Sequence, residues 1–139
     1  MDILQIYNVS RETKEKIEAY KTLVLEWNCK FNLISKSSVE HIWERHILDS
    51  VQLYKYIRPT DKILLDLGSG AGFPGMVLAI MAEQLNPELS INLVESIGKK
   101  TLFLNAVKNE LKLNVNILHD RIENIKMKKL TMPFSVQSP

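Results

Sequence analysis

The feature that most limits what this chain can become is KILLDLGSGAGFPG, Lys62 to Gly75. Ile63 to Leu67 is a short, continuously apolar run, suited to a strand buried on both faces. The glycines that close it suit a tight strand-to-helix turn, and they read in two registers. Gly70, Gly72 and Gly75 spell G-x-G-x-x-G, which would cradle a dinucleotide pyrophosphate. Gly68, Gly70 and Gly72 spell G-x-G-x-G directly after an acidic residue, Asp66, and suggest a different ligand.

Both registers set helix-start amides near an anion, so phosphate binding alone does not separate them. Their position against the strand does. The apolar run ends at Leu67, which makes Gly68 the first loop residue. In the dinucleotide register Gly68 and Ser69 would have to extend the strand, a weak use of glycine. Asp66 also fits badly beside a pyrophosphate, where a carboxylate meets two phosphate charges. It fits S-adenosylmethionine, which has no phosphate and carries positive amino and sulfonium groups. Glu95, at the end of the next predicted strand, can accept both hydroxyls of a ribose. That role is common to both cofactors, so NAD stays open on these residues alone.

Around this turn the chain has a regular order. Ile17, Tyr20, Val24, Trp27, Phe31 and Ile34 recur at helical spacing. Ser37 with Glu40 forms a capping-box pattern. A second helix should then carry Val39, Trp43, Ile47, Val51 and Tyr54 on one face and end before Pro59. After the glycine loop, Val77 to Leu85 reads as a helix, Ile91 to Glu95 as a strand, and Gly98 as the start of a helix burying Leu102, Phe103, Ala106, Val107 and Leu111. Val115 to Leu118 makes a third strand. The order is a helical pair followed by β-α-β-α-β, the opening of a doubly wound parallel sheet in an α/β fold. LTMPFSVQSP then has almost no apolar periodicity. The expectation is an N-terminal helical extension over residues 1–59 and a partial Rossmann-like domain over 60–139. The second half of that domain would be missing, leaving one edge of the first strand bare.

Other chemistries are poorly served. Cys29 is the single cysteine, which excludes an internal disulfide and a Cys-only metal site, and it reads as a small core residue. His41 and His119 have no metal-ligand spacing and read as surface residues; no metal is expected. His46, Asp49 and Ser50 invite a triad reading, but Ser50 should point away from the other two, and no nucleophile elbow is present. A polar cluster packing the extension over the cofactor mouth is the reading they support. No apolar run approaches the ~20 residues of a membrane span, and no signal peptide is evident. A cytoplasmic, soluble protein is expected. Lys99 to Lys129 carries eight basic and three acidic residues, a surface that a polyanion could use.

Four segments occur in one order: WNCKFNLIS (Trp27 to Ser35), RHILDS (Arg45 to Ser50), DLGSGAGFPGMVLAI (Asp66 to Ile80) and VESIGKKTLFL (Val94 to Leu104). Together they resemble the bacterial small-subunit (16S) ribosomal RNA methyltransferase G family, also called glucose-inhibited division protein B. The resemblance implies a class I methyltransferase fold behind a helical extension, with S-adenosylmethionine as cofactor. It further implies methylation of guanine N7 in small-subunit ribosomal RNA. Matched position by position, the family's cofactor contacts fall on Gly68 and Phe73, with Asp66 in the acidic position before Gly68, Gly70 and Gly72. Glu95 matches the ribose acid, and Ile122 and Glu123 match the backbone pair that borders adenine. The family's next motif, a strand ending in Ser-Arg-Ala, has no counterpart here; PFSVQSP sits where that strand should begin. The resemblance therefore implies a truncated, impaired methyltransferase, monomeric if folded, partnered by small-subunit ribosomal RNA. The alternatives are an inactive remnant of a disrupted gene and a non-catalytic RNA-binding fragment.

Overall fold

The structure, a computed structural model, describes residues 3–124 and 135–137. After a short helix α1 (Ile3–Ile6), the long α2 (Arg11–Phe31) starts where the Ser10 hydroxyl accepts the Thr13 N–H at 3.1 Å. It stops at Asn32, whose left-handed backbone (φ 51°) breaks the ladder, so Ile34 lies beyond the helix and not on its stripe. Thr13, Ile17, Tyr20 and Val24 are its buried face. Cys29 is on the outside, contrary to the core reading, because the buried stripe runs along another side of the helix.

The second helical region is broken into pieces. Ser35, not Ser37, caps α3 (Lys36–Glu40), accepting the Ser38 N–H at 3.2 Å; a serine-rich run offers several caps, and the chain takes the earliest. A π-helical turn follows over Ile42–Leu48, then α4 (Asp49–Gln52) and a 3-10 turn (Leu53–Tyr56) that ends short of Pro59. Ile47, Val51 and Tyr54 are buried, as the spacing predicts.

One parallel sheet forms the centre, in the order β3-β2-β1-β4. β1 (Ile63–Leu67) pairs with β2 (Ser90–Glu95) over its whole length, Ile63 opposite Ser90 and Leu67 opposite Val94. β3 (Asn116–His119) continues the sheet outward. The crossover helices are α5 (Gly75–Leu85) and α6 (Gly98–Leu111). α2 packs across both, with Thr13 Oγ1 donating to Gln84 Oε1 at 2.8 Å and Trp27 against Phe103 at 5.6 Å. Leu102, expected in the core, is 60% exposed because α6 buries the face bearing Phe103, Leu104 and Val107.

The other edge of β1 differs from expectation. A three-residue strand β4 (Ser135–Gln137) lies parallel to it, with Leu65 opposite Ser135 and Leu67 opposite Gln137. That edge is therefore not bare at its loop end. Main-chain pairing needs no side-chain periodicity, which is why the tail's composition gave no sign of it.

Candidate cofactor site

β1 delivers the chain to the sheet's C-terminal edge at Leu67, and Gly68 begins the loop as the sequence implies. The Gly68 and Ser69 amides both donate to the Val94 carbonyl, at 2.9 and 3.0 Å. Gly68, Gly70 and Gly72 all have left-handed backbone (φ 74°, 58° and 98°), a conformation that side chains disfavour. Gly75 does not; its requirement is space. A Cβ there would collide with Leu93 Cδ2 and Asp66 Oδ2. The first three glycines thus have a backbone reason and shape the loop itself, and Gly75 has a steric one. A Cβ on Gly70 would meet nothing within 4 Å, so open space lies over this part of the loop.

Asp66 is fully buried. Its Oδ2 accepts the N–H of Gly75, the first residue of α5, at 3.0 Å, and its Oδ1 is sealed in with no partner. Burial raises its pKa to about 7 against the opposing pull of the Gly75 amide and Ser69, with the nearby Glu95 adding to the rise. The carboxyl therefore lies beneath the loop, aimed at the helix start, and not in the open space above it.

Glu95 closes the loop from the neighbouring strand. Its Oε1 accepts the Gly70 N–H at 2.6 Å and its Oε2 the Ile97 N–H at 3.0 Å. An ionised carboxylate has about four acceptor positions, so two remain after these bonds. Ile122 and Glu123 sit in a 3-10 turn just past β3, at the same sheet edge, where the Asp120 N–H meets the Glu95 carbonyl at 3.1 Å. Asp120, which the sequence reading passed over, caps this turn. Its Oδ1 accepts from Asn124 Nδ2 and from the Arg121 N–H, and these bonds hold its pKa below the ordinary range.

Beside the loop is a cavity of about 410 Å³, within the range of small-molecule sites. Ser69, Gly70, Ala71 and Phe73 form its loop wall, the extension supplies Leu33, Ile34, Ser35, Ser38 and His46, and α6 adds Lys100. Another cavity of about 310 Å³ lies at the opposite end of the sheet, around Asn86, Leu89 and Asn114, away from the glycines. The cavity at the loop is the one that borders the glycines, on the side of the extension.

Two residues of the extension reach the loop directly. The buried Tyr20 hydroxyl donates to the Ala71 carbonyl at 2.6 Å. Burial, and then the charge of Asp66, push its pKa well above the ordinary range, so it remains a donor. Its place in the apolar stripe was legible; the need of a buried phenol for a partner was the available sign of the rest. His46 stacks on Phe73 with ring centroids 4.8 Å apart. Burial lowers its pKa, more than Asp49 restores it, so the ring is neutral at pH 7. The triad does not exist: the Ser50 hydroxyl donates to the His46 carbonyl at 2.6 Å, and Asp49 is exposed. His41 and His119 are exposed, as expected. Among the described residues no group of three or more metal-ligating side chains converges, and no helix is long and apolar enough to cross a membrane.

The family model described as "rRNA small subunit methyltransferase G" matches residues 13–134. A curated protein of Cereibacter sphaeroides, named ribosomal RNA small subunit methyltransferase G, is 46% identical over 127 residues, covering 91% of this chain and 62% of that protein. The protein of the same name from Orientia tsutsugamushi is 44% identical over 128 residues, again 91% of this chain and 62% of its own length. That of Paramagnetospirillum magneticum is 40% identical over 124 residues, 89% of this chain and 58% of its own. The chain thus spans about three-fifths of the length of the curated relatives it matches.

Proposed function

This chain belongs to the rRNA small subunit methyltransferase G family, and we propose that it binds S-adenosylmethionine over its glycine loop and serves methylation of guanine N7 in 16S ribosomal RNA. The observation that carries the choice of cofactor is the bond from the Gly75 N–H to Asp66 Oδ2. A helix N-terminus is where a dinucleotide rests its pyrophosphate. Here the Gly75 N–H at that terminus is already taken by a buried carboxyl of the protein, so it is not free to hold a phosphate. A phosphate-free nucleoside ligand has no such conflict.

The residues present fit such a ligand. Glu95 keeps two acceptor positions for ribose hydroxyls, and the clearance over Gly70 lets backbone approach the amino-acid portion. Ile122 and Glu123 stand at the outer end of the same edge, where a base could lie along their backbone. Bound there, S-adenosylmethionine would supply a methyl group carried on a positive sulfonium. Guanine N7 has a free lone pair, so the protein needs to align the two and exclude water more than to move a proton. Among the described residues no acid–base pair faces the loop, which agrees with that chemistry. A cytoplasmic setting agrees with the single free thiol of Cys29.

For the RNA, Lys99, Lys100, Lys108, Lys112 and Arg121 of the basic segment are among the described residues, and Lys100 reaches the cavity wall. Lys126, Lys128 and Lys129 lie outside them. The test is methyl transfer from labelled donor to small-subunit particles that lack the modification. Incorporation at guanine N7 is expected, at a lower level than a relative of full length gives. Reversing Lys99 and Lys100 should weaken particle binding and flatten its salt dependence by about 0.9 in logarithmic slope per lost phosphate contact. Salt-dependent RNA binding without cofactor uptake would favour the non-catalytic RNA-binding reading instead.

A further inference from the structure

Phe73 meets two rings that both come from the extension. Tyr20 lies at 5.4 Å, tilted by 57°, and His46 at 4.8 Å, nearly parallel at 25°. Tyr20 does a second thing: its hydroxyl fixes the Ala71 carbonyl at 2.6 Å. It also sits where a side chain on Gly72 would be, since a Cβ there would come within 2.8 Å of its oxygen. Three consecutive loop residues, 71 to 73, therefore take their positions from side chains outside the β-α-β unit.

The arrangement of His46 is unusual for a packing residue. It sits in a π-helical turn, a rare form that recurs at functional sites. Its Nε2 is buried without a partner, although a buried polar atom ordinarily finds one. An aliphatic residue would fill the same space without leaving a nitrogen unpaired. What histidine adds is a flat ring that matches the face of Phe73.

We propose that Tyr20 and His46 are positioning residues for the cofactor loop, so that the helical extension sets the shape of the cradle over Gly70. The inference rests on the reading of that loop as the cofactor site. Tyr20 fixes the main chain through one hydrogen bond, and His46 fixes the Phe73 side chain by stacking. Neither needs to touch the ligand.

The test uses this chain, S-adenosylhomocysteine as the calorimetric probe, and four variants. Tyr20→Phe keeps the ring and removes the hydroxyl; it should weaken binding about tenfold, because a loop freed from that bond must be ordered again by the ligand. His46→Leu should weaken binding by a similar factor, and His46→Phe, which keeps a flat ring, should restore it. Val115→Ala removes core volume just before β3, at the far end of the sheet. It should lower the melting temperature and leave affinity unchanged. Hydrogen exchange without ligand gives a second readout: the Gly72 amide, bonded to Ser69 O at 2.8 Å, should exchange faster in Tyr20→Phe while β2 amides do not. Affinity that tracks melting temperature across all four variants, or an unaltered Gly72 exchange rate, would overturn the proposal. A parent chain that takes up no probe would sink the cofactor reading instead, and the exchange measurement would still decide the role of Tyr20.

Discussion

Asp66, one residue short of the end of β1, and Glu95, the last residue of β2, carry the same functional group and flank one loop, yet their surroundings give them different work. Asp66 is shut beneath the loop with one oxygen on the Gly75 amide and the other on nothing. Glu95, at the end of β2, holds the loop through Gly70 and the approach to α6 through Ile97, which uses two of a carboxylate's about four acceptor positions. The difference comes from one pleat of the sheet. Asp66 sits opposite Leu93, inside the paired register, so the start of α5 covers it. Glu95 lies one residue beyond Val94, the last residue of β2 paired with β1, where the loop reaches over it.

The largest expected effect lies on the Asp66 side. Its pKa, raised from 3.8 to about 7, means that the folded state holds this proton more tightly than the unfolded chain does. The associated stability is complete below pH 4 and is lost as the pH rises to about 7, an effect of up to about 4 kcal/mol. Asp66→Asn, neutral throughout, should flatten that slope and make the variant the more stable form at pH 8. Urea unfolding at pH 5 and pH 8 measures it, and equal slopes in parent and variant would place the carboxyl in contact with solvent. Next in size is Gly75→Ala. The added methyl collides with Leu93 and Asp66, so a loss of about 2–3 kcal/mol is expected in the same assay. A neutral result would show that α5 can retreat from β1, and the contrast between the two acids would soften.

Most of the frame was legible in the sequence because it follows from periodicity. β1 has the bounds that its apolar run implies, β2 starts one residue earlier than expected, and β3 is shifted by one residue at both ends. What periodicity cannot carry is which way a chain leaves an element. Asn32 turns left-handed and takes Ile34 off the helix, and the wider π turn breaks the second helix at a place no spacing marks. β4 was hidden for a related reason, since three residues pair through main-chain groups that every sequence possesses. At the loop, its start at Gly68 and the place of Glu95 at the end of β2 were readable from their order along the chain. Asp66 was singled out, but for contact with a ligand, because a line of sequence does not show that the crossover helix starts directly over it. Tyr20 and His46 reach the loop from 51 and 27 residues away, a pairing that only the packed structure displays.

The smallest effect, and the most direct test of the central claim, is at Glu95. The claim is that this edge accepts a phosphate-free nucleoside because Asp66 already occupies the helix start. Calorimetric titration of the chain at pH 7.5 with S-adenosylhomocysteine and, separately, with NAD compares the two ligands on one protein, and Glu95→Ala repeats the first titration. The account predicts saturable binding of S-adenosylhomocysteine, weakened by about 1–2 kcal/mol in the variant, and no saturation by NAD over the same range. NAD binding as tight as S-adenosylhomocysteine, or no binding of either, would contradict it.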